Sequence, residues 1–383
     1  MQKFRADRKR MVSEFISLAE IESLSLKERE MADKLISVIK EMGYEPCEDD
    51  AGERAGGNAG NIIFSVPGTI SSAPVLLFMA HMDTVGPAAD KKIIIEGDII
   101  KTDGSTILGG DDAAGIECLF EALRILKENN VAHGSIQAVF TIAEETGLTG
   151  AKLLDYSMIR AKYGFVLDEG GHIGTFAVKA PAQYKIGGYL KGKAAHAGVE
   201  PEKGISSIQM ASRAVDNMKL GRLDAETTAN IGIINGGKAT NIVCDKVYIE
   251  GECRSRDRSK LEKQRRHMEN CFTEAADYYG GVSEIESSLL FDSFEIGDDE
   301  KELTGILKRA AAEAGVEYEP VVTGGGSDTN IISGKGIRAV NLSVGMNKAH
   351  TVEEFVNAGD LEKAAGFIAA IISAAACDAS ADV

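Results

Sequence analysis

Apolar and β-branched runs recur along the first 170 residues, and segments with helical spacing separate them. Residues 75–80, 135–142 and 163–167 read as buried strands. Residues 61–66 form a shorter one, turned by Pro67 and Gly68, and residues 91–103 alternate like a small hairpin about Gly97-Asp98. Helical periodicity covers residues 8–22, 26–42, 116–129 and 152–159. Ser25 with Glu28 three residues on has the form of a capping box opening the second helix, and Gly43 stands where that helix should close. From residue 173 the pattern changes to strands that alternate as in an antiparallel sheet, through residue 190. A helix at 204–218, strands at 228–234 and 245–253, and a helix at 259–279 follow, the β-α-β-β-α-β order of a ferredoxin-like unit. From about Asp298 the first pattern returns: a helix at 300–314, a Gly-rich loop from Thr323 to Asp328, a strand at 337–344 and a final helix at 359–376. The fold class expected is α/β, a central mixed sheet flanked by helices, carrying an inserted ferredoxin-like α+β domain. The boundaries expected are 1–176 with 293–383 for the sheet domain and 177–292 for the insertion.

A net charge of −17 over 383 residues excludes nucleic acid as a partner, since a phosphate backbone would be repelled. The six cysteines are scattered and form no CxxC, which leaves neither a disulfide framework nor a thiolate zinc site and points to reduced thiols in the cytoplasm. No apolar run reaches membrane-spanning length, and the basic N-terminus lacks the apolar core of a signal peptide, so no membrane partner is expected.

The strand ends change the picture. Residues 75–80 precede His81, 135–142 precede Glu144 and Glu145, 163–167 precede Asp168, and 337–344 precede His350. Asp111 stands at the start of a helix, with Asp112 beside it as a candidate cap. Sites in open α/β sheets form outside the carboxyl ends of the strands, so these residues are expected to converge. The set His81, Asp111, Glu145, Asp168 and His350 offers only nitrogen and oxygen, which suits Zn²⁺, Co²⁺ or Mn²⁺, and the two imidazoles argue against Mg²⁺ or Ca²⁺. Charge favours a pair of divalent ions, because the three carboxylates and one hydroxide would balance them. Asp83, two residues from His81, can accept its other ring N–H, and Glu144 is left free as a general base. Neighbours in a strand point to opposite faces, so Glu144 and Glu145 can share a site only where the strand has ended. Gly147 and Gly150 allow such a turn.

The blocks HMDTV, GGDDAAG, AEETGLTGA, LDEGG, GGGSDTN and KAHTVEEF, in that order, resemble those of the co-catalytic zinc metallopeptidase family of peptidase T, glutamate carboxypeptidase and aminoacylase, and peptidase T-like members most. The resemblance covers essentially the whole chain. It implies a zinc aminopeptidase-like catalytic domain with a lid, and two metal ions. His81 and Asp168 would hold one ion, Glu145 and His350 the other; Asp111 would bridge them and Glu144 would act as base. It implies substrate contacts from His196 in GKAAHAG, Asn241 in KATNIV, Arg254 in GECRSRD and Gly325 in the Gly-rich loop, with His196 polarising the scissile carbonyl and Arg254 gripping a carboxylate. It implies a homodimer formed through the lid. Ala113 departs from the family, where many members carry lysine. The Gly-rich loop has neither the lysine of a Walker motif nor GxGxxG spacing, which excludes a nucleotide site. The implied activity is hydrolysis of short peptides, tripeptides foremost, from the N-terminus. A carboxypeptidase, dipeptidase or N-acyl-amino-acid deacylase would use the same metal site, and a silent peptide-binding relative is the reading from outside enzymology.

Overall fold

The structure is a computed structural model and describes residues 4–297 and 299–377; Asp298, near which the first pattern is expected to return, lies outside them. The chain divides into two compact units. One runs to Val178 and resumes over Glu295–Val322 and from Ser327 onward; the other is Lys179–Phe294 with Thr323–Gly326. The Gly-rich loop thus packs with the insertion, although its sequence position lies within 293–383.

The first unit is built on a 12-stranded mixed sheet. Its centre is four strands in the order Ile136–Thr141, Leu76–His81, Tyr163–Gly170 and Arg338–Asn347, each parallel to the next. Parallel strands covered on both faces must be apolar throughout, and Leu76–His81 and Ile136–Thr141 are buried at every position. Their side chains alternate between two cores. Leu76, Phe78 and Ala80 join Ile136, Ala138 and Phe140 on one face, while Leu77, Met79 and Val139 pack on the other with Val166 and Ile332. Phe78 stacks on Phe165 at a centroid separation of 5.1 Å. The helices Gly110–Glu128 and Ala358–Cys377 supply much of the larger core, and the second of these is apolar and buried around nearly all its circumference. Because the four central strands run the same way, their carboxyl ends lie along one edge.

The second unit is a five-stranded antiparallel sheet in the order Gly221–Arg222, Thr227–Gly236, Lys246–Ser255, Ala182–Lys191 and Val282–Phe291. The helices Ser207–Asn217 and Arg258–Tyr279 cover it, around Ile186, Leu190, Met210, Ile249, Leu261 and Phe272. This is the expected ferredoxin-like arrangement, with one short added strand.

Several elements differ from the sequence pattern. The Ser25/Glu28 capping box does not form: the helix Arg29–Glu41 has no side-chain cap. Ser25 Oγ instead donates to Asp83 Oδ2 at 2.6 Å, and Glu28 Oε1 accepts from the backbone N–H of Leu26 and of Ala143. Residues 152–159 are not one helix. Thr149–Leu153 stops at Leu154, whose backbone is extended, and a 3₁₀ turn Tyr156–Met158 restarts under a cap from Asp155. The strand Tyr163–Gly170 runs through Asp168 rather than ending before it. The helix expected from residue 116 begins at Gly110, but Asp111 and Asp112 are non-helical within it. The short helix Asp328–Gly334 and the strand Phe355–Asn357 carried no periodic signal long enough to read.

Candidate metal centre

His81 is buried and is the last residue of its strand, and three groups fix its imidazole. Its Nδ1 lies 2.8 Å from the backbone oxygen of Asp83, and its Nε2 lies 2.9 Å from Asp111 Oδ1 and 3.8 Å from Asp168 Oδ1. The partner of Nδ1 is therefore the carbonyl of Asp83 and not its carboxylate, which stands 3.6 Å away. The carboxylate expected to orient His81 is engaged elsewhere. It accepts from Glu144 N at 2.9 Å and Glu145 N at 3.3 Å, as well as from Ser25.

Asp111 stands between the two histidines. Its Oδ2 is 3.1 Å from Nε2 of His350, which in turn is 2.7 Å from Glu145 Oε1. His350 is half-exposed and sits in the left-handed region at φ 64°, three residues beyond the strand that delivers it. One donor atom each from His81, Asp111 and Glu145 lies within 4.8 Å of the others. The five expected ligands thus form a connected group at the carboxyl edge of the parallel strands, and Glu144 adjoins them.

The turn carrying Glu144 and Glu145 is irregular, as two neighbours facing one site require. Its strand ends at Thr141, Ala143 has φ 47°, and the N–H groups of Gly147 and Leu148 both donate to Glu144 O. Gly150 is needed at the base of this turn, because a Cβ there would meet Asn61 Oδ1 and the backbone of Ile142 at 2.5 to 2.6 Å.

Electrostatics mark the cluster as anionic. Burial pushes the carboxyls of Asp168 and Glu144 well above the usual range, and neighbouring carboxylates, Asp111 among them, push the same way. Burial would also raise Asp111, but the hydrogen bonds from His350 and His81 outweigh it and hold Asp111 low. Contacts with Asp111 and then Glu145 raise His350 to about 10. Glu145 Oε1 is buried, and the Nε2 of His350 stands 2.7 Å from it. Carboxylates buried together are costly without a compensating cation, and a donor set of imidazole nitrogens and carboxylate oxygens is what a divalent transition metal takes. The residues fit such ions.

Some supporting residues were not singled out from the sequence. Glu354 is buried and accepts from the N–H groups of Leu108, Gly109 and Asp111 at 2.8 to 3.0 Å, which sets the loop carrying Asp111. Asn341 pairs with the backbone N–H and C=O of Asp168 at 3.1 and 2.9 Å. A polar residue inside the apolar run 337–344 was the available signal. Asp112 accepts from Gly115 N at 3.0 Å, as a cap would, and from His81 N at 3.2 Å. Ala113 lies buried in the larger apolar core.

The expected substrate contacts all belong to the second unit. His196 accepts from Gly198 N, and Ala197 N donates to Asn241 O. Arg254 does not present a free fork: Nε and Nη2 bind both oxygens of Glu252 at 2.9 and 3.0 Å, and Nη1 donates to Gly324 O. Gly325 N donates to Thr323 Oγ1.

Residues 77–374 match the sequence model of peptidase family M20/M25/M40, and the chain belongs to that family. It is 45% identical over 368 residues to the protein YqjE of Bacillus subtilis, covering 96% of this chain and 99% of that one. Among solved structures it resembles the aminopeptidase PepT of Bacillus cereus, at 42% identity and a TM-score of 0.86, over 97% of this chain and 99% of that chain. It also resembles a Staphylococcus aureus tripeptidase, at 37% identity and a TM-score of 0.92, over 97% of this chain and all of the other. The chain is a hydrolytic enzyme of the peptidase T-like kind that its motifs resembled.

Proposed function

We propose that this chain is a metal-dependent aminopeptidase that removes the N-terminal residue of short peptides, tripeptides foremost. The observation that carries the reading is Glu144, a buried carboxylate on an irregular turn, adjoining a group of two histidines and three further carboxylates. The aminopeptidase and tripeptidase relatives support the substrate class. His81 and Asp168 would hold one divalent ion, Glu145 and His350 a second, and Asp111 would serve both. Zinc is the ion we propose, with cobalt or manganese suited to the same donors. When bound, such ions polarise a carbonyl and lower the pKa of water. The chain's own part is to move protons and hold geometry. Glu144 takes the proton of the attacking water and returns it to the leaving amine. Asp83 holds the backbone of Glu144 and Glu145, and Glu354 holds that of Asp111. His196, Asn241, Arg254 and Gly325 are proposed substrate contacts on the motif resemblance alone.

A panel of free, N-acetylated and C-amidated di- and tripeptides, run with added Zn²⁺, Co²⁺ or Mn²⁺, tests the reading. Cleavage that requires a free N-terminus is the expected result. A requirement for a free carboxylate, or for an acylated amine, would move the assignment to a carboxypeptidase or a deacylase.

A homodimer belongs to the same proposal. The strand Thr227–Gly236 is paired on its outer side only at Thr228 and Ala229, and its remaining edge exposes Ile233 and Ile234. A monomeric mass in sedimentation would remove it. A cytoplasmic location is supported by Cys47, Cys118, Cys244, Cys253 and Cys271, which stand as thiols; no helix among the described residues is long and apolar enough to cross a membrane.

A further inference from the structure

The turn after Ile136–Thr141 is held in an unusual way. The N–H groups of four successive residues each donate to a side chain from elsewhere: Ile142 to Asn61 Oδ1, Ala143 to Glu28 Oε1, and Glu144 and Glu145 to Asp83. No strand ladder continues there: these side chains hold the N–H groups of the turn, while the N–H groups of Gly150, Thr149, Gly147 and Leu148 hold the carbonyls of Ile142, Ala143 and Glu144. Ala143 lies between strand and catalytic pair at φ 47°, a conformation that alanine reaches only under constraint. Glu28 holds its N–H, and Thr149 N holds its carbonyl. Glu28 is fully buried, and its Oε1 bonds Leu26 N at 2.7 Å and Ala143 N at 3.0 Å. It lies at the start of the helix Arg29–Glu41, far from Ala143 in sequence, and it caps nothing there.

We propose that Glu28 is a positioning residue for the reaction: by accepting the N–H of Ala143 it fixes the turn that aims Glu144. The proposal rests on the reading of Glu144 as the base. Without the Glu28 oxygen, Ala143 keeps only the bond from Thr149 N to its carbonyl, its left-handed backbone loses one of two anchors, and the carboxylate of Glu144 is aimed less sharply. Glu145, the proposed ligand next on the turn, keeps its own bond to Asp83 and its contact with His350, so the loss falls chiefly on turnover.

Three variants test this. Glu28→Ala should lower kcat by about 100-fold, the scale of a small misplacement of a catalytic group. KM and the metal-to-protein ratio should stay unchanged. Glu28→Gln keeps an acceptor at the same place and should recover most of the loss. Glu28→Leu fills the volume without an acceptor and should behave as Glu28→Ala, should the alanine variant fail to fold. Wild-type kcat in folded, metal-loaded Glu28→Leu, or Glu28→Gln as impaired as Glu28→Leu, would overturn the proposal. Amide exchange of the metal-free chain reads the same contact without turnover: Glu28→Leu should lose protection at Ala143 and Glu144 while the strand Leu76–His81 keeps its own. Unchanged protection at those two amides overturns the role of Glu28, whereas a wild-type chain that cleaves no peptide overturns the aminopeptidase reading instead.

Discussion

Glu144 and Glu145 are adjacent in the chain and opposite in their surroundings. Glu145 leans on His350 within the candidate ligand group, while Glu144 is pressed by burial and by the charges of Asp328, Glu145 and Asp111. Glu144→Gln should therefore keep fold and metal content and lower kcat by roughly 10²- to 10⁴-fold, the usual worth of a general base; near-normal turnover would remove it from the mechanism. A second residue shows how burial alone makes stability depend on pH. Lys91 donates to the carbonyls of Ala19 and Ile21, and burial lowers its pKa from 10.5 to about 8. Its folded pKa lies below its unfolded value, so the unfolded chain binds the extra proton between those pH values. The penalty for the buried ammonium is full below pH 8 and fades as pH rises toward 10.5. Lys91→Met should be more stabilising, relative to wild type, at pH 7 than at pH 10, as measured by urea unfolding. At this scale the candidate ligands were legible because charge at the end of an apolar strand needs a cause. Ser25, Glu28 and Asn61 were not. Ser25 and Glu28 fit a local capping pattern, and nothing in the sequence shows that their oxygens turn to Asp83 and Ala143 instead.

Elements decide how far each of these residues can move. His81 rides on a strand whose side chains are locked alternately into two cores, and Phe78 anchors it against Phe165. Phe78→Ala should cost about 3–5 kcal/mol of stability, read from urea unfolding. A value under about 1 kcal/mol would mean that the site collapses around the cavity. The central strands were readable from sequence because burial on both faces demands unbroken apolar runs. What stayed hidden were breaks imposed by side chains that bond backbone. Asp155 restarts the helix near residue 156, and Asp111 and Asp112 leave helical geometry while Glu354 holds their loop. Strands of two or three residues, such as Cys47–Glu48 and Phe355–Asn357, have too few positions to show a period.

For the whole molecule, the order of the units in the chain was legible and the pairing order of the strands was not. Alternation of strand and helix announces parallel pairing, but only the structure shows Leu76–His81 between Ile136–Thr141 and Tyr163–Gly170. The inserted unit has its own apolar core, including Ile186, Leu190, Phe272 and Ala276. Residues 179–294 made alone should unfold cooperatively from a mixed helix-and-strand circular dichroism spectrum, since a domain with its own core can fold by itself. A molten spectrum with no thermal transition would show that this unit depends on the rest.

The insertion leaves and rejoins the first unit at touching residues, with Ile296 N donating to Val178 O at 2.8 Å. A ribosome makes the chain in one direction, and that join sets a timetable. When Phe291 emerges, nearly all of the inserted unit exists, while the first unit still lacks Arg338–Asn347, the strand that flanks Tyr163–Gly170. The younger segment can finish folding while the older one waits with an open sheet edge. His350 arrives later still, so the candidate ligand group closes only near the end of synthesis, and capture of the proposed ions would be one of the last events in the making of the enzyme.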